Sequence, residues 1–253
     1  RLPLPSAEAG RRSWGLMAQL YSVRSRRSWG MGDFADLADL AAIAGESGAD
    51  YLLINPVHAA DVTTPIEPSP YLPSSRRFLA PLYIRPELIP EAAYLSEDAD
   101  DRFDRLRRTA ASANENAEAI DRDSVWRAKR EALALIHAVD LSPARRAQRD
   151  AFARREGTAL ADFALWCAVR EHEAETGDTV PDGIAIDDPE IDRLRERLSD
   201  RIAFHIWLQW VVDEQLADAA AAAAASGMRI GIMHDLAVGV STAGSDAWSL
   251  GEL

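Results

Sequence analysis

Two short apolar runs, separated by one helix-length amphipathic segment, constrain the fold of this chain more than any other feature. Trp14–Val23 (WGLMAQLYSV) carries little charge and reads as a strand covered on both faces, and Tyr51–Ile54 reads as a second strand. Between them Leu37, Leu40, Ala41 and Ala44 fall on one helical face, and Gly45 or Gly48 ends the helix. Two strands joined by a single crossover helix pair in parallel, with a right-handed connection. The chain therefore begins a parallel α/β sheet.

The next segment breaks this rhythm. Asn55–Ile84 (NPVHAADVTTPIEPSPYLPSSRRFLAPLYI) has almost no periodicity, and six prolines stiffen its backbone. It displays hydroxyls and rings at Ser69, Tyr71, Ser74, Ser75 and Tyr83. Long irregular segments in compact domains are either disordered or functional, and the Phe, Tyr, Leu and Ile content argues against disorder. A binding loop is expected here.

Beyond the loop the chain is almost wholly helical, so an insertion separates the second strand from the third. Helices are expected over Asp123–Val139, from Ser142-Pro143 to Gly157, from Thr158 to Gly177, from Asp188-Pro189 onward, and over Ser199–Ser226. In the last of these, Ile202, Ile206 and Trp210 recur with Phe204 and Trp207 beside them, a stripe better read as core than as a sugar platform. Gly227 then turns the chain into MRIGIMHDL, a third buried strand.

This gives three parts: a βαβ unit at 1–54, a loop and helical insertion at 55–227, and a third strand with its following loop at 228–253. The opening RLPLPSAEAG reads as a linker, and the chain is expected to be part of a larger protein. Three parallel strands do not close a barrel. In α/β sheets, ligands sit at the carboxyl ends of the strands, and those ends carry Ser22, Asn55 and Asp235.

Charge and composition narrow the function classes. Twenty-eight Lys and Arg against 41 Asp and Glu give a net charge of −13, which repels phosphate backbones and anionic membranes. Neither nucleic acid nor membrane is expected as a partner. The arginine runs at 102–108 and 145–149 lie among acids at helical spacing and read as solvated faces. Cys167 is the only cysteine, which precludes an intrachain disulfide and fits a reducing cytoplasm; its apolar setting marks a core residue.

Gly30-x-Gly32-x-x-Ala35 matches the glycine pattern of a dinucleotide site but fails on context. It lies seven residues beyond the first strand, and Asn55 stands where a ribose-binding acid is needed. The two glycines instead shape the helix start, with Asp33 near its positive end. The five histidines form no metal-binding spacing, so no metal and no cofactor are expected. His137 and His205 read as helix packing. His58, directly after the second strand, is placed either to hydrogen-bond a ligand or to make a local loop contact. Asp235 could orient a sugar hydroxyl or a catalytic group, or simply cap the following loop.

Six ordered segments, GLMAQLYSVRS, WGMGDFADL, GADYLLINPVHA, SPYLPSSRRFLAPLYI, FHIWLQWVVDEQL and IGIMHDLAVGVSTAGSDAW, resemble the first part of the 4-α-glucanotransferases, the amylomaltase or disproportionating-enzyme family (glycoside hydrolase family 77). The resemblance covers nearly the whole chain, most loosely from about residue 91 to 189. It implies a partial (β/α)8 barrel, strands 1–3, with a large mainly helical insertion between strands 2 and 3. It also implies action in the cytoplasm on α-1,4-glucans and maltooligosaccharides, with retention through two carboxyl groups. Those carboxyls follow barrel strands 4 and 5 in the family, in motifs that do not occur here. The chain alone is thus expected to be inert and to partner the remaining half of the barrel.

By the same resemblance, Tyr71 packs on the donor sugar, Ser69 hydrogen-bonds it, and Asp235 helps to hold the catalytic centre. His234 stands where the family usually has glycine, and Ala80 where asparagine is frequent. Two other readings are a non-catalytic carbohydrate-binding or helical interaction protein, and a generic α-glucan hydrolase.

Overall fold

The computed structural model describes residues 12–116, 119–180 and 188–250. The expected linker at 1–10, and most of the loop before Asp188, lie outside the described residues. The elements in order are β1 (Gly15–Ala18), α1 (Phe34–Glu46), β2 (Tyr51–Ile54), β3 (His58–Ala59), β4 (Ser75–Leu79) and α2 (Glu97–Ala111). Then come α3 (Arg122–His137), α4 (Pro143–Glu156), α5 (Thr158–Thr176), α6 (Pro189–Arg197), α7 (Ser199–Ala225), β5 (Gly231–His234) and α8 (Ser245–Leu250).

β1, β2 and β5 form one parallel sheet in that order, so the third strand returns to the free edge of the second across the whole insertion. The register sets Met17, Leu53 and Met233 in one row and Ala18, Ile54 and His234 in the next. The parallel pairing follows from the crossover helix, as the spacing requires.

Two expectations about the first strand need correction. It is four residues long and stops at Ala18, because Leu20–Ser22 coil into a 3₁₀ turn whose first amide, Leu20 N–H, is bound by Asn55 Oδ1 at 2.6 Å. It is also not covered on both faces. Leu52 and Ile54 are sealed beneath the helices, whereas Met17 on the opposite face is 73% exposed.

The proline-rich segment is likewise more ordered than its lack of periodicity suggests. β3 and β4 pair antiparallel within it, and Pro81–Tyr83 forms a 3₁₀ turn. Only the stretch between β3 and β4 is a true loop.

Helix starts follow their local chemistry. Asp33 caps α1 by accepting from Ala35 N–H and Asp36 N–H, while Asp36 reaches back to the Asp33 amide, a reciprocal capping box. Gly32 is required just before it, since a Cβ there would lie 1.9 Å from Leu20 O. Asp121, Ser142 and Asp188 cap α3, α4 and α6, the last two followed by proline in the first turn.

α7 is the spine of the molecule. It packs along α1 and α5 and reaches β5. Gly45 of α1 makes room for the α7 terminus, where a Cβ would meet Ser226 Oγ at 2.1 Å. Phe204, Trp207 and Trp210 are buried, which makes the aromatic stripe core, and His137 sits edge-on to Phe204 and Trp207. Cys167 is fully buried, and burial raises its thiol pKa well above the ordinary value. A single buried cluster runs from Leu20 to Met228, so packing is continuous across the sequence boundaries at 54 and 227.

Two glutamines of α7 grip the chain leaving β4. Gln209 accepts from Leu79 N–H at 3.1 Å and donates to Leu79 O at 2.8 Å; Gln215 does the same for Arg85, at 2.8 and 2.9 Å. The Arg85 side chain turns inward to Asp33 (2.5 Å) and Asp36 (3.0 Å). Lys129 joins them, donating to Leu82 O at 2.7 Å and lying 3.9 Å from Asp33. Burial pushes Lys129 down to about 8 against the pull of Asp33, and it raises Asp33 despite both cations. The α1 cap, the post-β4 segment and α3 therefore meet in one buried ionic knot. No helix among the described residues is long and apolar enough to cross a membrane.

Candidate functional site

The carboxyl ends of the three strands point to the same side, and the residues expected there divide into supports and exposed groups. Asn55 is a support. It is 2% exposed, and its amide is fully used: Oδ1 holds Leu20 N–H, and Nδ2 donates to Pro56 O at 2.8 Å and Tyr83 Oη at 3.1 Å. It joins the ends of β1 and β2 from behind. Tyr83 is correspondingly buried, and burial pushes its phenol up to about 12 against the Asn55 hydrogen bond. Ser22 is not at a strand end; it lies in the 3₁₀ turn, its hydroxyl donating to Gln19 O.

The exposed side of the strand ends carries charge. Asp235 follows β5 directly, with its N–H donated to Ile54 O at 3.1 Å, and is partly exposed. His58, on β3, has both ring nitrogens shielded and without a hydrogen-bond partner among the described residues. Burial lowers its pKa first, then the positive charge of Arg76, then His234, while Asp246 and Asp235 pull the other way. Arg76, His234, Asp235 and Asp246 are therefore all near enough for His58 to feel their charge. Arg76 also donates to Val238 O at 3.2 Å, and its N–H reaches Asp246 Oδ2 at 2.9 Å, which ties β4 to the segment after β5.

Arg76 and Asp246 are the residues missed by sequence reasoning. Both lie in segments recognised as characteristic, SSRRFL and GSDAW, but nothing in their spacing announces that they meet across 170 positions.

Ser69 and Tyr71 occupy the loop between β3 and β4. Ser69 N–H is held by Glu67 Oε1 at 3.0 Å, and Ser69 Oγ lies 3.4 Å from Tyr71 N. The Tyr71 ring is 49% exposed. The base of the loop is tied to the segment following β5: Ser241 N–H donates to Pro73 O at 2.8 Å, and Asp246 N–H to Ser74 O at 3.0 Å. The loop displays a flat ring and hydroxyls, and the strand ends to which its base is tied carry an imidazole and a carboxylate. Such a set suits a polyhydroxylated ligand with apolar faces.

Residues 18–253 match the 4-alpha-glucanotransferase family. The chain is 49% identical over 257 residues to the 4-alpha-glucanotransferase of Mycobacterium tuberculosis and 29% identical to that of Haemophilus influenzae, covering 98% and 97% of itself. It spans 35% and 37% of those relatives.

Among solved structures it resembles the amylomaltase of Corynebacterium glutamicum (TM-score 0.81, 45% identity), over 94% of this chain and 32% of that one. A Streptococcus agalactiae amylomaltase solved with acarbose shares the fold (TM-score 0.75) at 18% identity, over 95% of this chain and 46% of that one. The mixed α/β architecture, mostly helical, is thus that of an amylomaltase segment. On the match across residues 18–253, this chain belongs to the 4-alpha-glucanotransferase family.

Proposed function

We propose that the chain supplies the donor-sugar grip of an enzyme that transfers segments of α-1,4-glucans between maltodextrins by a retaining double displacement. In this reading β1, β2 and β5 are the first three staves of a (β/α)8 barrel, and the helices between β2 and β5 are its insertion. The remaining staves cover the open face that exposes Met17. Tyr71 stacks on the apolar face of a glucose unit, Ser69 and His58 hydrogen-bond its hydroxyls, and Asp235 steadies the reaction centre. The nucleophile and the acid/base come from the other staves, so the chain alone is inert, and the enzyme works in the cytoplasm.

The observation that carries this reading is Tyr71: a half-exposed phenol on a loop tied at its base to the residues after β5. A stacked ring contributes on the order of 1 kcal/mol beyond its area. Tyr71→Ala in the full-length protein is therefore expected to lower kcat/KM for maltotriose disproportionation about tenfold. Unchanged kinetics would remove the loop from the site. Glucose released from maltotriose by the purified 253-residue chain would refute its inertness.

A further inference from the structure

The loop that carries Ser69 and Tyr71 is pinned on two sides, and only one set of pins belongs to the strand-end face. On the outgoing limb, Ser74 Oγ donates to Ala59 O and Ala60 O at 2.9 and 3.0 Å, and Pro73 is held by Ser241. On the incoming limb the pins come from the helical insertion. Trp126 Nε1–H donates to Val62 O at 2.8 Å, and Asp123 Oδ1 accepts from Ile66 N–H at 2.7 Å. Both side chains belong to α3. Arg170 of α5 adds an ion pair to Asp61 at 3.2 Å, and Asp61 closes a local turn by accepting from Thr63 N–H at 3.0 Å.

Val62 and Ile66 are buried, while the chain from Glu67 to Ser69 and at Tyr71 and Leu72 runs exposed. Within that exposed tip the hydrogen bonds are local, Glu67 to Ser69 and Ser69 to Tyr71. The tip therefore cannot fix its own position. The Tyr71 ring stands between two anchors, Pro73 and Ser74 on the outgoing limb and Val62 and Ile66 on the incoming one, and α3 holds the second.

We propose that Asp123, with Trp126, is a positioning residue for the sugar-gripping loop, so that the insertion sets the geometry of donor binding. The proposal rests on the reading of Tyr71 given above. Asp123 is partly exposed, so its replacement removes one acceptor without opening the core. Asn at the same position keeps an oxygen for Ile66 N–H.

The test uses the full-length protein and four variants: Asp123→Ala, Asp123→Asn, Tyr71→Ala and the double change Asp123→Ala/Tyr71→Ala. Small displacements of binding groups can cost up to about a hundredfold in rate, so Asp123→Ala is expected to lower kcat/KM for maltotriose roughly fivefold or more, chiefly through KM. Asp123→Asn should restore the wild-type value to within about twofold. In the Tyr71→Ala background the Asp123 change should have little further effect, because the ring it positions is gone.

Trp126→Phe, which keeps a buried aromatic ring but loses the donor to Val62 together with part of the indole's volume, provides a second variant and should reproduce a smaller KM increase. An Asp123→Ala loss of equal size with and without Tyr71 would overturn the proposal, as would wild-type kinetics for Asp123→Ala alongside an impaired Tyr71→Ala. If Tyr71→Ala itself is silent, the sugar-gripping reading fails, and the positioning role with it.

Discussion

Replacing Gln215 with alanine tests the clamp between α7 and the segment leaving β4. Gln215 is 7% exposed and pairs with both backbone groups of Arg85, at 2.8 and 2.9 Å, much as a neighbouring strand would. Alanine strands one buried N–H and one buried C=O, each costing about 1–3 kcal/mol when left unpaired. A loss of about 3 kcal/mol is therefore expected, since part of the gap can relax. In a domain of this size 1 kcal/mol moves the melting midpoint by about 2–4 °C, so scanning calorimetry should show a fall of roughly 6–12 °C.

Gln209→Ala is the internal comparison. It breaks the same pair of bonds, but its partner Leu79 is only partly buried, so water can satisfy what is left and the fall should be about half as large. A Gln215→Ala midpoint within 2 °C of wild type, or a larger effect at Gln209, would refute the reasoning.

Acid should act on the α3–α5–α7 junction through Glu171. Burial raises its pKa, but the approach of His205 Nε2 at 3.3 Å and the paired hydrogen bonds from Arg130 (2.7 and 2.9 Å) outweigh it and bring the carboxyl to about 2. With the unfolded value near 4.5, the folded state binds fewer protons in this window. The stabilisation is present above pH 4.5 and is lost as pH falls toward 2, on the order of 3 kcal/mol in all. Denaturant midpoints taken from pH 6 to pH 3 should fall more steeply for the wild type than for Glu171→Gln, and parallel curves would refute this. Gly32→Ala should abolish folding, because its Cβ would meet Leu20 O at 1.9 Å and Val23 O at 2.3 Å. Gly48→Ala meets no atom within 4 Å, and its φ of +88° should cost only about 1 kcal/mol; equal solubility and melting of the two variants would count against this distinction.

The parts of this structure legible in the sequence are those governed by local or repetitive rules. Strand–helix–strand spacing dictated parallel pairing, and cap-proline pairs marked where α4 and α6 begin. Glycines and Asp33 located the start of α1. What could not be read depends on distant partners. Nothing near Asn55 says that its amide is consumed by Leu20, Pro56 and Tyr83 and not offered to a ligand.

The early stop of β1 has the same origin, since the apolar run continues to Val23 but a side chain 35 positions away turns it. β3 and β4 were hidden because prolines and a register shift erase alternation. Of the candidate site, Tyr71 and Asp235 came from a resemblance in motif, whereas Arg76 and Asp246 needed coordinates. Arg145 departs from the solvated-face reading of the arginine runs, lying 4.1 Å over the Trp210 ring and paired with Glu91 and Glu214.

The pairing of β2 with β5 also sets a timetable. Ribosomes add roughly 5–20 residues per second, so the interval between making Ile54 and making Gly231 is on the order of ten to thirty seconds. Throughout that time one side of the nascent β1–α1–β2 unit has no strand to zip against. The helices α2–α7 emerge in the meantime, and α7, laid against α1, builds the floor on which β5 docks. Its late arrival makes β5 a latch on an already assembled body, so lesions in α7 should leave newborn chains waiting longest in an aggregation-prone form.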